Sequence, residues 1–272
     1  MRIVTGATGK WSSDTAAPIT SYAAIGDSFT EGVGDPGPDG VFAGWADRLA
    51  QLLAEQAPDG FRYANLAVRG RLLGQIISEQ VPRAKELAPD LVTFGAGGND
   101  ILRPGSDPDA LAERYEAALT ELLTTVGTVV VCTGFDTRNF PLLRHLRGRI
   151  ATYNGHLRAV ADRHGCPVLD LWSLRGVQDR RAWDEDRLHL SPEGHRRVAM
   201  RCAEVLGLEP PAGPDEPWPA APGPAATSRR DDLYWARQYL LPWIGRRLRG
   251  QSSGDNVRAK RPDLLPLHTP EP

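Results

Sequence analysis

"SYAAIGDSFTEG", residues 21–32, decides how the rest of the chain is read. A short apolar run, Tyr22 to Ile25, stops abruptly at Gly26-Asp27-Ser28 and gives way to more small residues. As a strand, the run carries a hydroxyl to the rim of a sheet, with little bulk nearby to keep a backbone amide from whatever that hydroxyl attacks. Taken locally, the same residues close a strand with an ordinary Ser/Asp/Gly turn. The pattern on either side decides between the two.

From residue 20 onward, short β-type runs alternate with longer helical ones. Strands are expected at "SYAAIG" (21–26), "RYANLAV" (62–68), "LVTFGAG" (91–97), "TVVVCTG" (128–134) and "PVLDL" (167–171). Between them, apolar residues recur at three- and four-residue spacing near 44–57, 72–88, 108–125 and 145–164. Nearly continuous apolar strands alternating with helices predict a parallel sheet covered on both faces. "SPEGHRRVAMRCAEVLGL" (191–208) closes the unit as a helix, with Ser191 as N-cap, Pro192 in the first helical position and Glu193 at the positive end. The domain is therefore expected over residues 20–208. In such sheets ligands bind beyond the carboxyl ends of the strands, so functional residues are sought just after each one.

The flanks differ in kind. Residues 1–19 are expected to be a flexible leader. "RIVTGATGK" (2–10) imitates the start of a dinucleotide-binding unit, but Ser12 stands where a further glycine is needed and no helical period follows before Pro18, so nucleotide binding is not expected. Residues 209–228 form a proline-rich linker, stiff because seven prolines fall within 209–224. Residues 229–272 make an extension in which Leu233, Tyr234, Trp235, Tyr239, Leu240, Leu241, Trp243 and Ile244 precede Arg246, Arg247, Arg249, Arg258, Lys260 and Arg261. Pro242 should end or kink any helix there. Two fates are open to this segment. Aromatics beside arginines suit a membrane interface, giving peripheral contact with anionic lipid; alternatively the segment folds back on the domain. Folding back is the expected fate, because it spares the protein a large exposed apolar patch.

Bulk properties narrow the function. With 32 basic and 34 acidic residues among 272, no overall field favours nucleic acid. Cys132, Cys166 and Cys202 are too few and too scattered for a disulfide framework or a zinc knuckle. Their odd number suits a reducing compartment. No signal-peptide pattern opens the chain, and nowhere do about 18 apolar residues run together, so a cytoplasmic location is expected. No convincing metal-ligand set is present, and no cofactor is expected.

The strand ends hold a matched set. Gly26-Asp27-Ser28 follows the first, "NLAVRG" runs through Asn65 to Gly70 after the second, and "GAGGND" sets Asn99 and Asp100 at the rim of the third. After the fifth, "DEDRLHLSPEGH" carries Asp186 and His189 three apart, just before the last helix. In this order the motifs resemble the SGNH hydrolases, also called GDSL esterases and lipases, over about residues 20–207. Phe29 departs from the leucine of the GDSL block but leaves the serine in place.

The resemblance implies a flavodoxin-like three-layer α/β/α fold with a five-stranded parallel sheet. It implies Ser28 as nucleophile, His189 as its base and Asp186 as the carboxylate that orients His189; Asp184 and Glu185 are nearby rivals, and the family pattern selects Asp186. Imidazole suits the base role because it titrates near neutrality and can return the proton to the leaving group. The oxyanion donors implied are the N–H groups of Ser28 and Gly70 and the side-chain amide of Asn99. Asp27 and Asp100 are expected to brace loops, and His145, His164 and His195 to be solvated or helix-end residues. The expected activity is hydrolysis of a small-molecule carboxylic ester through an acyl-serine, with Phe140, Leu142 and Leu143 lining an apolar acyl site. An acyltransferase or carbohydrate O-deacetylase would use the same residues. A catalytically idle binding module with a recruiting tail is the alternative from another class.

Overall fold

The computed structural model describes residues 18–57, 60–140, 143–220, 233–242 and 252–267, without the side chain of Leu240. The leader to residue 17, Leu142, and Trp243, Ile244, Arg246, Arg247 and Arg249 of the extension lie outside the described residues.

The chain runs β1 (Ser21–Gly26), α1 (Ser28–Glu31), α2 (Gly44–Glu55), β2 (Arg62–Asn65) and α3 (Leu73–Gln75), which passes through a π-turn (Ile76–Gln80) into α4 (Val81–Leu87). It continues with β3 (Leu91–Gly95), α5 (Gly98–Ile101), α6 (Pro108–Leu122), β4 (Thr128–Cys132), α7 (Arg147–His164), β5 (Val168–Leu169) and α8 (Pro192–Val205). Each expected strand is present, β1 over its full run and the other four somewhat shorter than theirs. Helix ends follow local chemistry. Ser191 Oγ accepts the Gly194 N–H at 3.2 Å, Asp107 caps α6 by accepting from Asp109, and α7 stops at Gly165 in the left-handed region.

The sheet order is β5-β4-β3-β1-β2-β6. The first five are parallel, which is the flavodoxin-like arrangement. The sheet has six strands rather than the expected five: β6 (Arg261–Pro266), from the C-terminal extension, pairs antiparallel with β2. Two prolines in "RPDLLP" argue against a strand, yet they are tolerated at a sheet edge, where one row of backbone groups needs no partner.

Alternation along β1 divides the interior. Tyr22 and Ala24 join α2 and α8 on one face, with Leu49, Leu53, Val198 and Cys202. Ala23 and Ile25 join the α3–α4 segment, α6 and α7 on the other, with Leu73, Tyr115, Leu119 and Leu157. The period of two in β1 thus feeds both layers, and β1 sits between β2 and β3 where the strand order reverses. Its carboxyl end, at Gly26, opens on the crevice.

The segments after α8 lie against the domain. Arg197 donates to the carbonyls of Pro214 and Glu216 and stacks on Trp218, whose Nε1 donates to the carbonyl of Gly176. Residues 209–220 are thus tied to α8 rather than standing off as a spacer. Lys260 turns inward. Its ammonium donates to the carbonyls of Glu31 and Phe42 and pairs with Asp47 at 2.6 Å.

Candidate active site

β1 is held square at its end by a side chain from the π-turn. Gln80 Oε1 accepts the Gly26 N–H at 2.8 Å, and its Nε2 donates to the Gly26 carbonyl at 2.9 Å. Asp27 then caps the short turn α1, accepting the Phe29 N–H at 3.2 Å, and Ser28 is its first residue. The Ser28 N–H therefore stands outside the i→i−4 ladder. Asn65 steadies α1 from below, donating to the Thr30 carbonyl at 2.9 Å.

Glu31, buried at the end of α1, accepts the Arg69 N–H at 2.6 Å and pairs with the Arg69 guanidinium. That clasp fixes the loop carrying Gly70 beside the one carrying Ser28. Gly70 has φ of 73°, and a Cβ there would collide with Ser252 Oγ from the extension. The positive φ favours glycine here, while the Ser252 hydroxyl can rotate away from a Cβ.

Asn99 arrives from α5. Its Nδ2 donates to Asp27 Oδ2 at 3.1 Å and to the Arg71 carbonyl at 3.2 Å. Both amide hydrogens are engaged, so donation to an oxyanion requires one of these long bonds to open or be shared. Asp27 is pushed up to about 6, chiefly by burial. Asp100 accepts the Leu73 N–H at 2.8 Å and ties α5 to α3.

The loop before α8 supplies Asp186 and His189. Asp186 Oδ1 accepts the N–H groups of Leu188 and His189, each at 2.9 Å, which leaves Oδ2 facing His189 Nδ1 at 2.5 Å. Burial opposes ionisation of Asp186, but the His189 ring and these two amides outweigh it and hold the carboxyl below its ordinary range. A carboxylate can only accept, so the proton between them sits on Nδ1, and in the neutral ring the lone pair is then on Nε2. Asp184 and Glu185 make no such contact: Asp184 donates its N–H to the His189 carbonyl, and Glu185 accepts from Tyr239.

Ser28, Gly70, Asn99, Asp186 and His189 all line one cavity of about 1290 Å³. Its floor is aromatic. Phe29 packs on Phe135 at 5.0 Å, and Trp183 meets Phe135 and Phe140 at 5.1 and 4.6 Å between centroids. Leu143 also lines it. Among the described residues no cluster of His, Cys, Asp and Glu could hold a metal ion, and no helix is long and apolar enough to cross a membrane.

The sequence reading missed Glu31, Gln80 and the inward turn of Lys260. A signal for the first was available: a charged residue in an otherwise small-residue motif, with an arginine next to Gly70 to receive it. His195 corrects an expectation. It is fully buried in α8, where Nδ1 accepts the Trp45 N–H and Nε2 donates to the Val33 carbonyl, both at 3.1 Å. Protonating Nδ1 would set two donors against each other, and burial lowers His195 to about 4.

His195 therefore adds stability that is complete above about pH 6.5 and fades as pH falls toward about 4. Asp27 and Asp47, both raised to about 6, act in the opposite direction over part of this range. The isolating measurement is thus the urea midpoint against pH for the native chain and for His195→Gln. The stability gap between them should narrow by roughly 3 kcal/mol from pH 7 to pH 4. A gap that stays constant would mean His195 takes up its proton in the fold as readily as in the unfolded chain.

A model of the GDSL-like lipase/acylhydrolase family matches residues 24–197. The uncharacterized protein YpmR of Bacillus subtilis (strain 168) is 26% identical over 212 residues, covering 69% of this chain and 81% of the relative. Among solved structures, an alpha/beta hydrolase enzyme from the metagenome of Lake Arreo, Spain, aligns with a TM-score of 0.57 at 23% identity, over 69% of this chain and 95% of its own. An acetylxylan esterase from Geobacillus stearothermophilus aligns with a TM-score of 0.57 at 19% identity, over 70% and 95%. The structural likenesses agree with the fold, and the family match spans the carboxyl ends of all five parallel strands: this chain belongs to the GDSL-like lipase/acylhydrolase family and is an SGNH-type ester hydrolase.

Proposed function

We propose that the protein hydrolyses carboxylic esters of apolar acyl groups through an acyl-serine formed on Ser28. The observation that carries this reading is the Asp186–His189 contact of 2.5 Å, opening into the cavity that Ser28 lines. In the first half-reaction His189 Nε2 takes the Ser28 proton as Oγ attacks the ester carbonyl. The N–H groups of Ser28 and Gly70, with the Asn99 amide once it shares a hydrogen, receive the oxyanion. The same imidazolium then protonates the departing alkoxide, and Asp186 stabilises it meanwhile. Water repeats the sequence in reverse and frees the acid. In keeping with this reading, the catalytic mutants solved for the Geobacillus stearothermophilus acetylxylan esterase replace a serine, an aspartate and a histidine three positions after that aspartate.

Cavity size and lining favour a sizeable acyl chain. An acetyl group would leave the floor of Phe29, Phe135, Phe140 and Trp183 uncovered. With p-nitrophenyl esters from acetate to octanoate, kcat/KM should therefore climb over the first few methylenes, by up to about fourfold each. Quenched mixtures should show the acyl mass on the Ser28 peptide. A maximum at acetate would place the acyl group away from this floor. Adding a competing alcohol separates the acyltransferase alternative, since transfer would divert the acyl group from water.

A further inference from the structure

The extension contributes a helix, residues 233–242, whose contacts with the acid–base loop play no part in the chemistry above. Trp235, Gln238, Tyr239 and Pro242 recur at helical spacing, and all four line the cavity of Ser28 and His189. Leu233, Tyr234 and Leu241 are exposed. Trp235 and Tyr239 grip three consecutive positions of the loop. Trp235 Nε1 donates to the Asp186 carbonyl at 2.9 Å. Its ring lies beneath the Arg187 guanidinium, 5.0 Å from the centroid, and Tyr239 donates to Glu185 at 3.3 Å.

This grip falls where the loop is least able to hold itself. Arg187 has φ of 56°, in the left-handed region that a non-glycine residue occupies only when its surroundings require it. The turn it makes lets Asp186 Oδ1 accept the Leu188 and His189 amides, and so aims Oδ2 at the imidazole.

We propose that Trp235 is a positioning residue for the Asp186–His189 pair and, through its ring, the wall that sets how long an acyl chain the site accepts. The indole N–H fixes the carbonyl at the head of the strained turn, and the ring lines the cavity that Phe29, Phe135 and Trp183 also line. The proposal rests on the reading of Ser28, Asp186 and His189 given above.

The test uses the full chain and two phosphonofluoridates that differ in one alkyl group, methyl against decyl. Each reacts as Ser28 Oγ bonds phosphorus, fluoride departs and the serine proton passes to His189, so neither the natural ester nor turnover is needed. Trp235→Phe keeps a ring but loses the N–H; its labelling rate should fall about three- to tenfold with both probes. Trp235→Ala should fall at least as far, and its preference for decyl over methyl should also drop about tenfold, the worth of roughly two methylenes left uncovered. Circular dichroism and the thermal transition check the fold, and should the alanine chain not fold, Tyr239→Ala reads the wall instead. A Phe chain labelled at the native rate, or an alanine chain with the native chain-length preference, overturns the proposal. Labelling of the native chain away from Ser28 overturns the site reading itself, and the proposal with it.

Discussion

Ser28→Ala is expected to lower kcat by on the order of 10⁶, with the thermal transition little changed. Ser28 lies at the carboxyl end of β1 on the cavity that His189 also lines, and its hydroxyl is the only nucleophilic atom the proposed acyl-enzyme uses. Removing Oγ deletes one small group and leaves the Asp27 cap and the Gln80 clamp intact. His189→Ala should lose about as much, since serine and base act as one unit and neither works without the other. The double variant should be scarcely worse than either single one. Steady-state kinetics on one chromogenic ester decides the matter. A Ser28→Ala chain that keeps even a tenth of native kcat would place the nucleophile elsewhere, and additive losses in the double variant would mean the two residues work separately.

Asp186→Asn should lower kcat by about 10⁴. The magnitude is borrowed from other serine hydrolases, but the cause is visible in this loop. Two backbone N–H groups point at Oδ1, so the asparagine oxygen must occupy that position. The amide NH₂ then takes the place of Oδ2 and faces His189 Nδ1 as a donor. The ring can answer only by presenting a lone pair at Nδ1, which puts its hydrogen on Nε2, and a protonated Nε2 cannot accept the serine proton. Nitrogen NMR of His189 should show the switched tautomer. Asp184→Asn and Glu185→Gln, by contrast, should change kcat by less than about threefold. A near-native Asp186→Asn rate, or a large loss at Asp184, would reassign the carboxylate.

Local pattern was enough for much of this. The five parallel strands, the helices between them and the Ser191 cap follow from periods and end signals acting within a few residues. The spacing of Asp186 and His189 was equally legible, because three residues in one short loop leave a carboxylate within reach of one ring nitrogen.

Other features depended on partners far along the chain. β6 pairs with β2 about 200 positions away, as at Tyr63 with Leu265, and its prolines gave no strand signal. Lys260 belongs to a basic extension whose partners local pattern does not name, yet it ends against Asp47 and the carbonyl of Glu31. Gln80 and His195 sit in helical patterns like any exposed polar residue, and both are buried because a distant backbone group needs them. A polar side chain is buried only where a partner replaces the water it loses, at a penalty of roughly 1–3 kcal/mol when none does. Sequence by itself determined which residues were polar, periodic and able to cap or turn; only the tertiary structure decided which of them had a partner waiting inside.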